Sequence, residues 1–231
     1  MEIDMSRTKK RRGRAKQEKG AGTNETAGAL KRSERTRAEI LAAAIEEFAA
    51  RGFHDAKISD IVSRAGVTQP SFYFYFPSKQ AIYDHLLERV HDELLARIQA
   101  ARTQPGVDGT TVPDMIRAAM EAFLQYFADN PLLANIGYFQ ADISAAIRDE
   151  VIAVLSRQVA YEQGAGYLRR DLDPVFITEC YGGTLERVIQ RYILTGKTTA
   201  QDLARDVTDV YMHGILAPIN TSGKLPRTSK R

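Results

Sequence analysis

From Arg35 to about Pro218 the large apolar residues recur at three- and four-residue steps, the spacing that lines one face of a helix and that a strand cannot use. The first stripe, Ile40, Leu41, Ala44, Ile45 and Phe48, runs into Gly52, a residue suited to end a helix. Ile58, Ile61 and Val62 mark a short second helix, and Ala65-Gly66-Val67 supplies a tight turn in which Gly66 can take positive φ. Thr68 or Gln69 then starts a third short helix. Phe72 to Phe76, five aromatic residues in a row, have strand propensity. A single strand would have no partner here, and Phe72 and Phe76 stand four apart on one helical face, so the segment is assigned to the third helix. Ser78 is placed to cap a long fourth helix with Ile82, Leu86, Leu87, Val90, Leu94 and Ile98 inward.

Beyond a loop at Thr103 to Val112, with Pro105, Gly106 and Gly109, the same periodicity predicts five more helices. They cover about 113–129, 131–140, 142–163, 174–194 and 199–218, and Asp173-Pro174 is a strong start signal for the eighth. The expected fold is all-α with about nine helices. A three-helix domain containing a helix-turn-helix spans 33–79, and a helical domain spans 80–220. Residues 1–32, with eight cations from Arg7 to Lys19 followed by Gly, Ala and Thr, read as a disordered basic arm, and 221–231 as a basic disordered tail.

Composition excludes several classes. At 231 residues, 44% hydrophobic and 26% charged, the chain fits neither wholesale disorder nor a membrane protein. Cys180 is the single cysteine, which rules out an internal disulfide and a multi-cysteine zinc site. No apolar run approaches the ~18 residues of a membrane span, and the basic N-terminus lacks an apolar signal core, so the expected compartment is the cytoplasm. His54, His85, His91 and His213 are dispersed, with no nucleophile or paired carboxylate beside them. Neither an enzyme nor a cofactor is expected. The charge is uneven: residues 1–79 hold 16 Lys/Arg against 10 Asp/Glu, whereas residues 80–220 hold 12 against 19. Only the first third is therefore expected to meet a polyanion.

A helix-turn-helix reads DNA with side chains at the start of its second helix. Here that start is Thr68, Gln69, Pro70 and Ser71. Gln69 can bond adenine bidentately, Thr68 and Pro70 offer apolar surface to a thymine methyl, and the hydroxyls suit phosphate. Ile40-Leu41-Ala42-Ala43-Ala44, Gly52-Phe53, Ile58 to Arg64, Ala65-Gly66-Val67 and Phe72-Tyr73-Phe74-Tyr75-Phe76-Pro77-Ser78-Lys79 then follow in an order and spacing that resembles the TetR (tetracycline-repressor-like) family over about 45 residues. The resemblance implies that Tyr73 and Lys79 bind backbone phosphate and that Gln69 and Pro70 face bases. Lys57 departs from the pattern, standing where the family often has a capping threonine; it can pair with phosphate, and Asp55 is left as the possible cap. Ser59 and Tyr75 complete the expected DNA-facing set.

For the second domain the resemblance is topological. It implies a homodimer through the last two helices, where Phe176, Ile177, Tyr181, Leu185, Val188, Ile189 and Tyr192, and later Val207, Val210, Tyr211, Gly214 and Ile215, make broad apolar faces. It also implies a pocket for a small hydrophobic effector, with Met120, Phe123, Tyr126, Phe127, Phe139, Gln140, Ile143, Tyr181 and Thr184 as expected lining. Arg187 and Arg191 are candidates for an anionic group on that effector. The reading is a DNA-binding regulator, most simply a repressor that leaves a palindromic double-stranded operator when an effector binds. The alternative is a nonspecific architectural nucleic-acid-binding protein.

Overall fold

The computed structural model describes the backbone of residues 7–102, 106, 108–140 and 144–213, with side chains from residue 28 onward and without that of Ser144. Among the described residues there are nine α-helices and no strand. They fall into two compact units, Met1–His85 and Leu86–Arg231.

In the first unit α1 (Arg7–Asp55) breaks at Gly52, whose φ of 72° and ψ of 173° leave the helical region before a last turn to Asp55. Its backbone is already helical over residues 7–32, where the sequence suggests an arm without fixed structure; Lys, Arg, Ala, Glu and Gln are all good helix formers. α2 (Ile58–Ala65) closes on Gly66 at φ 66°, a left-handed C-cap that any other residue would strain to adopt. α3 (Gln69–Tyr75) contains most of the aromatic run, with Phe76 as an extended C-cap. Helix wins over strand propensity because Phe72 and Phe76 both reach the core, at 0% and 4% exposure, from one side of the segment.

The core of this unit is Ile40, Ala44, Phe48, Ile61, Phe72 and Ile82, all fully buried. Phe48, Phe53 and Tyr83 add a ring cluster, with Tyr83 edge-on to Phe48 at 5.0 Å. That cluster explains why the unit extends to His85 rather than stopping at the expected residue 79: the first turns of α4 (Lys79–Ala100) belong to its core.

α1 and α2 are also joined by charge. Glu47 is 1% exposed and meets Arg51 Nε at 2.9 Å and Arg64 Nη2 at 3.6 Å. Arg64 also binds Glu46 at 2.6 Å, and Arg51 reaches Asp60 at 3.5 Å. A buried carboxylate is tolerated only when so neutralised, which fixes how α2 lies on α1.

The second unit holds the rest of α4, α5 (Val112–Asp129), α6 (Pro131–Ala134), α7 (Ser144–Ala165), α8 (Pro174–Val188) and α9 (Ala200–His213). Wider, π-type turns extend α6 over Asn135–Gln140 and α8 over Ile189–Ile193. The capping signals hold: Asp173 accepts from the Phe176 amide at 2.9 Å, and Ser78 from the Ala81 amide at 3.0 Å. α5 packs mainly on α9, and α7 on α8. Gly137 permits the wide turn after α6 to lie against α4, since a Cβ there would meet Val90 Cγ2 at 2.7 Å. His91 of α4 bonds Glu150 of α7 at 2.7 Å, and this hydrogen bond, opposed by burial and assisted by Asp92, raises the imidazole pKa above its ordinary 6.5.

Candidate nucleic-acid interface and cavity

On α3 the residues divide cleanly by face. Gln69, Pro70, Tyr73 and Phe74 are exposed, Ser71 and Tyr75 are half-buried, and Phe72 is buried. The four exposed positions fall within an arc of about 140° at 100° per residue. Thr68 is the N-cap, its Oγ1 accepting from the Ser71 amide at 3.3 Å, so its hydroxyl serves the helix first. Tyr75 is turned the other way, its hydroxyl 3.1 Å from Ser33 Oγ of α1. Phe74, 80% exposed, joins the outward stripe although the sequence reading gives it no role there. The helical wheel alone could have placed it, because it lies one step beyond Tyr73.

Lys57 and Ser59 are exposed at the start of α2, and Ser59 Oγ lies 3.4 Å from Asp60 Oδ1. Lys57 is the N-cap and no side chain caps α2; Asp55 does not fill that role. Lys79 is placed differently from expectation. Its ammonium donates to the carbonyls of Phe53 at 2.7 Å, His54 at 3.0 Å and Ala56 at 2.9 Å, and sits 4.6 Å from the centre of the Phe53 ring. Three donors meet three acceptors. The side chain thus closes the C-terminus of α1, with its three N–H groups engaged there.

In the second unit a cavity of about 550 Å³ lies among α4, α5, α7, α8 and α9. Its wall is largely apolar, with Ile98, Met115, Ile116, Ala119, Leu155, Val159, Leu172 and Ile177. Polar groups come from Arg97, Arg102, Gln158, Glu162, Thr178, Tyr181 and Tyr211. Gln158 links Arg102, 3.4 Å away, to the buried Glu162 at 2.8 Å. Tyr181 donates to Met120 Sδ at 3.5 Å, and burial pushes its phenol pKa up, so it stays a neutral hydroxyl.

Of the expected lining residues, Met120, Phe123 and Tyr181 are on this wall. Tyr126 and Phe127 are fully buried core; Tyr126 lies under the Arg97 guanidinium at 4.7 Å, and Phe127 packs against Phe123 and Tyr138. Phe139 lies tilted against Phe127 at 6.0 Å and is absent from the wall, Gln140 is exposed, and Thr184 binds the Cys180 carbonyl and the Tyr211 hydroxyl. Ile143 lies outside the described residues, as do Gly214 and Ile215. Arg187 and Arg191 are exposed and absent from the wall, whose cations are Arg97, Arg102 and Arg169. On the wall the α5 stripe runs from Met120 back to Ile116, whereas the expected lining ran on toward Phe127; a core stripe and a cavity stripe have the same period.

Residues 40–86 match the family described as bacterial regulatory proteins, tetR family. The chain is 34% identical over 181 residues to the uncharacterized HTH-type transcriptional regulator YdgC of Bacillus subtilis (strain 168), covering 78% of this chain and 93% of that protein. The chain belongs to the TetR family. Another relative, the HTH-type transcriptional activator FasR of Mycolicibacterium smegmatis, is 39% identical over 124 residues, 53% of this chain and 52% of its own length. The fold is shared with the transcriptional regulator FadR from Bacillus subtilis in complex with stearoyl-CoA, with a TM-score of 0.59 at 17% identity, over 77% of this chain and 98% of that one. As a TetR-family member the chain is a DNA-binding transcriptional regulator of helix-turn-helix type, not an enzyme. Among the described residues no helix is long and apolar enough to cross a membrane.

Proposed function

We propose that this TetR-family regulator is a homodimeric repressor that holds a palindromic operator through α3 and releases it when a small hydrophobic effector fills the cavity. The observation that carries the reading is a single helix with two duties. At its start, Lys79 clasps the end of α1 in the DNA-binding unit. At its end Arg97 and Ile98, and just beyond it Ala101 and Arg102, form cavity wall. An effector that prefers one position of these last turns changes the population of positions at the first turn, and so the spacing of two reading helices in a dimer. Those helices must lie about 34 Å apart, one turn of DNA or a multiple, to enter successive major grooves.

Dimerisation is assigned to the outer faces of α8 and α9. Val175, Phe176 and Tyr192 on α8 and its extension, and Val210 on α9, are 50%, 58%, 41% and 49% exposed. Ile177, Tyr181, Leu185 and Ile189 repeat at four-residue steps on the inward side, so α8 is apolar on two faces, more than one unit needs for its own core. Phe176 and Cys180 both line the cavity and stand exposed. The cavity wall favours an effector with an extended apolar body and one polar group bound near Arg102, Gln158 and Glu162; acyl derivatives have that shape, as in the FadR complex with stearoyl-CoA.

Selection of bound sequences from random DNA by the purified chain tests the DNA half. A palindrome with half-sites about one helical turn apart supports the dimer. Binding that falls with salt equally on every duplex, without a preferred sequence, supports the architectural alternative instead.

A further inference from the structure

We propose that Phe74 reads the 5-methyl group of an operator thymine, and so sets specificity at a base pair beyond the one read by Gln69. The inference rests on α3 being the reading helix. Phe74 is 80% exposed, the highest exposure among the large hydrophobic residues of the described chain, and it shares the outward stripe with Gln69, Pro70 and Tyr73. It is not a loose side chain: its ring stands edge-on to Tyr75 at 5.0 Å and 90°, and Tyr75 is itself held to Ser33 of α1.

A phenyl ring has no donor or acceptor, so pressing it on a guanine, adenine or cytosine edge leaves polar atoms unsatisfied, and a phosphate offers it nothing. In the major groove only thymine presents an apolar group, the C5 methyl. Five residues at 1.5 Å separate Gln69 from Phe74, about 7.5 Å along the axis, or roughly two base-pair steps of 3.4 Å. The thymine is therefore expected about two steps from the adenine that pairs with Gln69. Deoxyribose is the other apolar surface within reach, and the test separates the two.

Starting from the operator selected by the intact protein, each thymine is replaced in turn by deoxyuridine, which removes only the methyl, and affinity is measured by fluorescence anisotropy. Wild type should lose about four-fold at one thymine per half-site, the worth of one buried carbon, and about fifteen-fold when both half-sites are changed. Phe74→Ala should bind the thymine and uracil operators alike at that position, and Phe74→Leu should keep part of the difference. Since Phe74 is exposed, an unchanged thermal midpoint establishes that these variants are folded. The proposal is overturned if no thymine matters to wild type, or if Phe74→Ala remains as methyl-sensitive as wild type while losing affinity on every duplex alike, the pattern of a sugar contact. Gln69→Ala separates the two layers. Relaxed base preference in Gln69→Ala with unaltered methyl sensitivity in Phe74→Ala removes only the Phe74 claim, whereas indifference to both substitutions removes α3 as the reading helix.

Discussion

The two units use their apolar side chains in opposite ways. In the DNA-binding unit, core rings such as Phe48 and Phe72 are packed to 0% exposure, while Tyr73 and Phe74 are set outward on α3. The regulatory unit leaves a hollow of about 550 Å³ lined by groups such as Ile98, Met115 and Leu155. On the proposed reading, α3 must hold its outward side chains in a fixed register, and the buried core around Phe72 and the Glu47 ion network hold it there. The proposed effector response needs two arrangements of the second unit, and the hollow leaves room for its walls to move.

Equal truncations should break this comparison most strongly. Phe72→Ala removes a fully buried ring and should cost about 3–5 kcal/mol of unfolding free energy, whereas Phe123→Ala merely enlarges a space that already exists and should cost clearly less. Denaturant unfolding of both variants measures the gap, and equal losses would deny that the units differ in packing. Next is Gly137→Ala: the new methyl cannot avoid Val90, a stiff branched side chain, so about 1–3 kcal/mol should be lost by the same measurement.

Lys79→Ala should lower stability by about 1–2 kcal/mol through the three carbonyls it abandons. The salt dependence of operator binding should keep its slope, because no phosphate contact is lost; Lys57→Ala, by contrast, should flatten that slope by about 0.9. Parallel salt titrations distinguish the two lysines. The smallest effect concerns His91. Its folded pKa is raised, so the stabilisation it gives is complete below about 6.5 and fades as pH rises through the raised value. Thermal midpoints of wild type and Glu150→Gln should therefore differ most near pH 5.5–6 and converge toward pH 9, and a difference that grew with pH would contradict the assignment.

The first unit was nearly all readable in advance because its signals are local. Gly66 must take positive φ, Ser78 must cap, and Phe72 and Phe76 must share a face, each within a few residues. Lys79 escaped because its acceptors lie 23 to 26 residues upstream and carbonyls leave no mark in a sequence. The cavity escaped for a related reason. Periodicity says that Met120, Phe123 and Phe127 face inward, but whether inward means packed core or empty space depends on α7, α8 and α9, elements far along the chain. Arg102, Gln158 and Glu162 come together only through that packing.

The most direct test is the affinity of the chain for its selected palindrome with and without an apolar ligand shown by calorimetry to bind the protein. Binding in the cavity should weaken the operator complex at least about tenfold, and operator DNA should weaken the ligand by the same factor. In Ala119→Trp, which fills the cavity from α5, both effects should disappear together. A ligand that occupies the cavity yet leaves operator affinity unchanged would contradict the account.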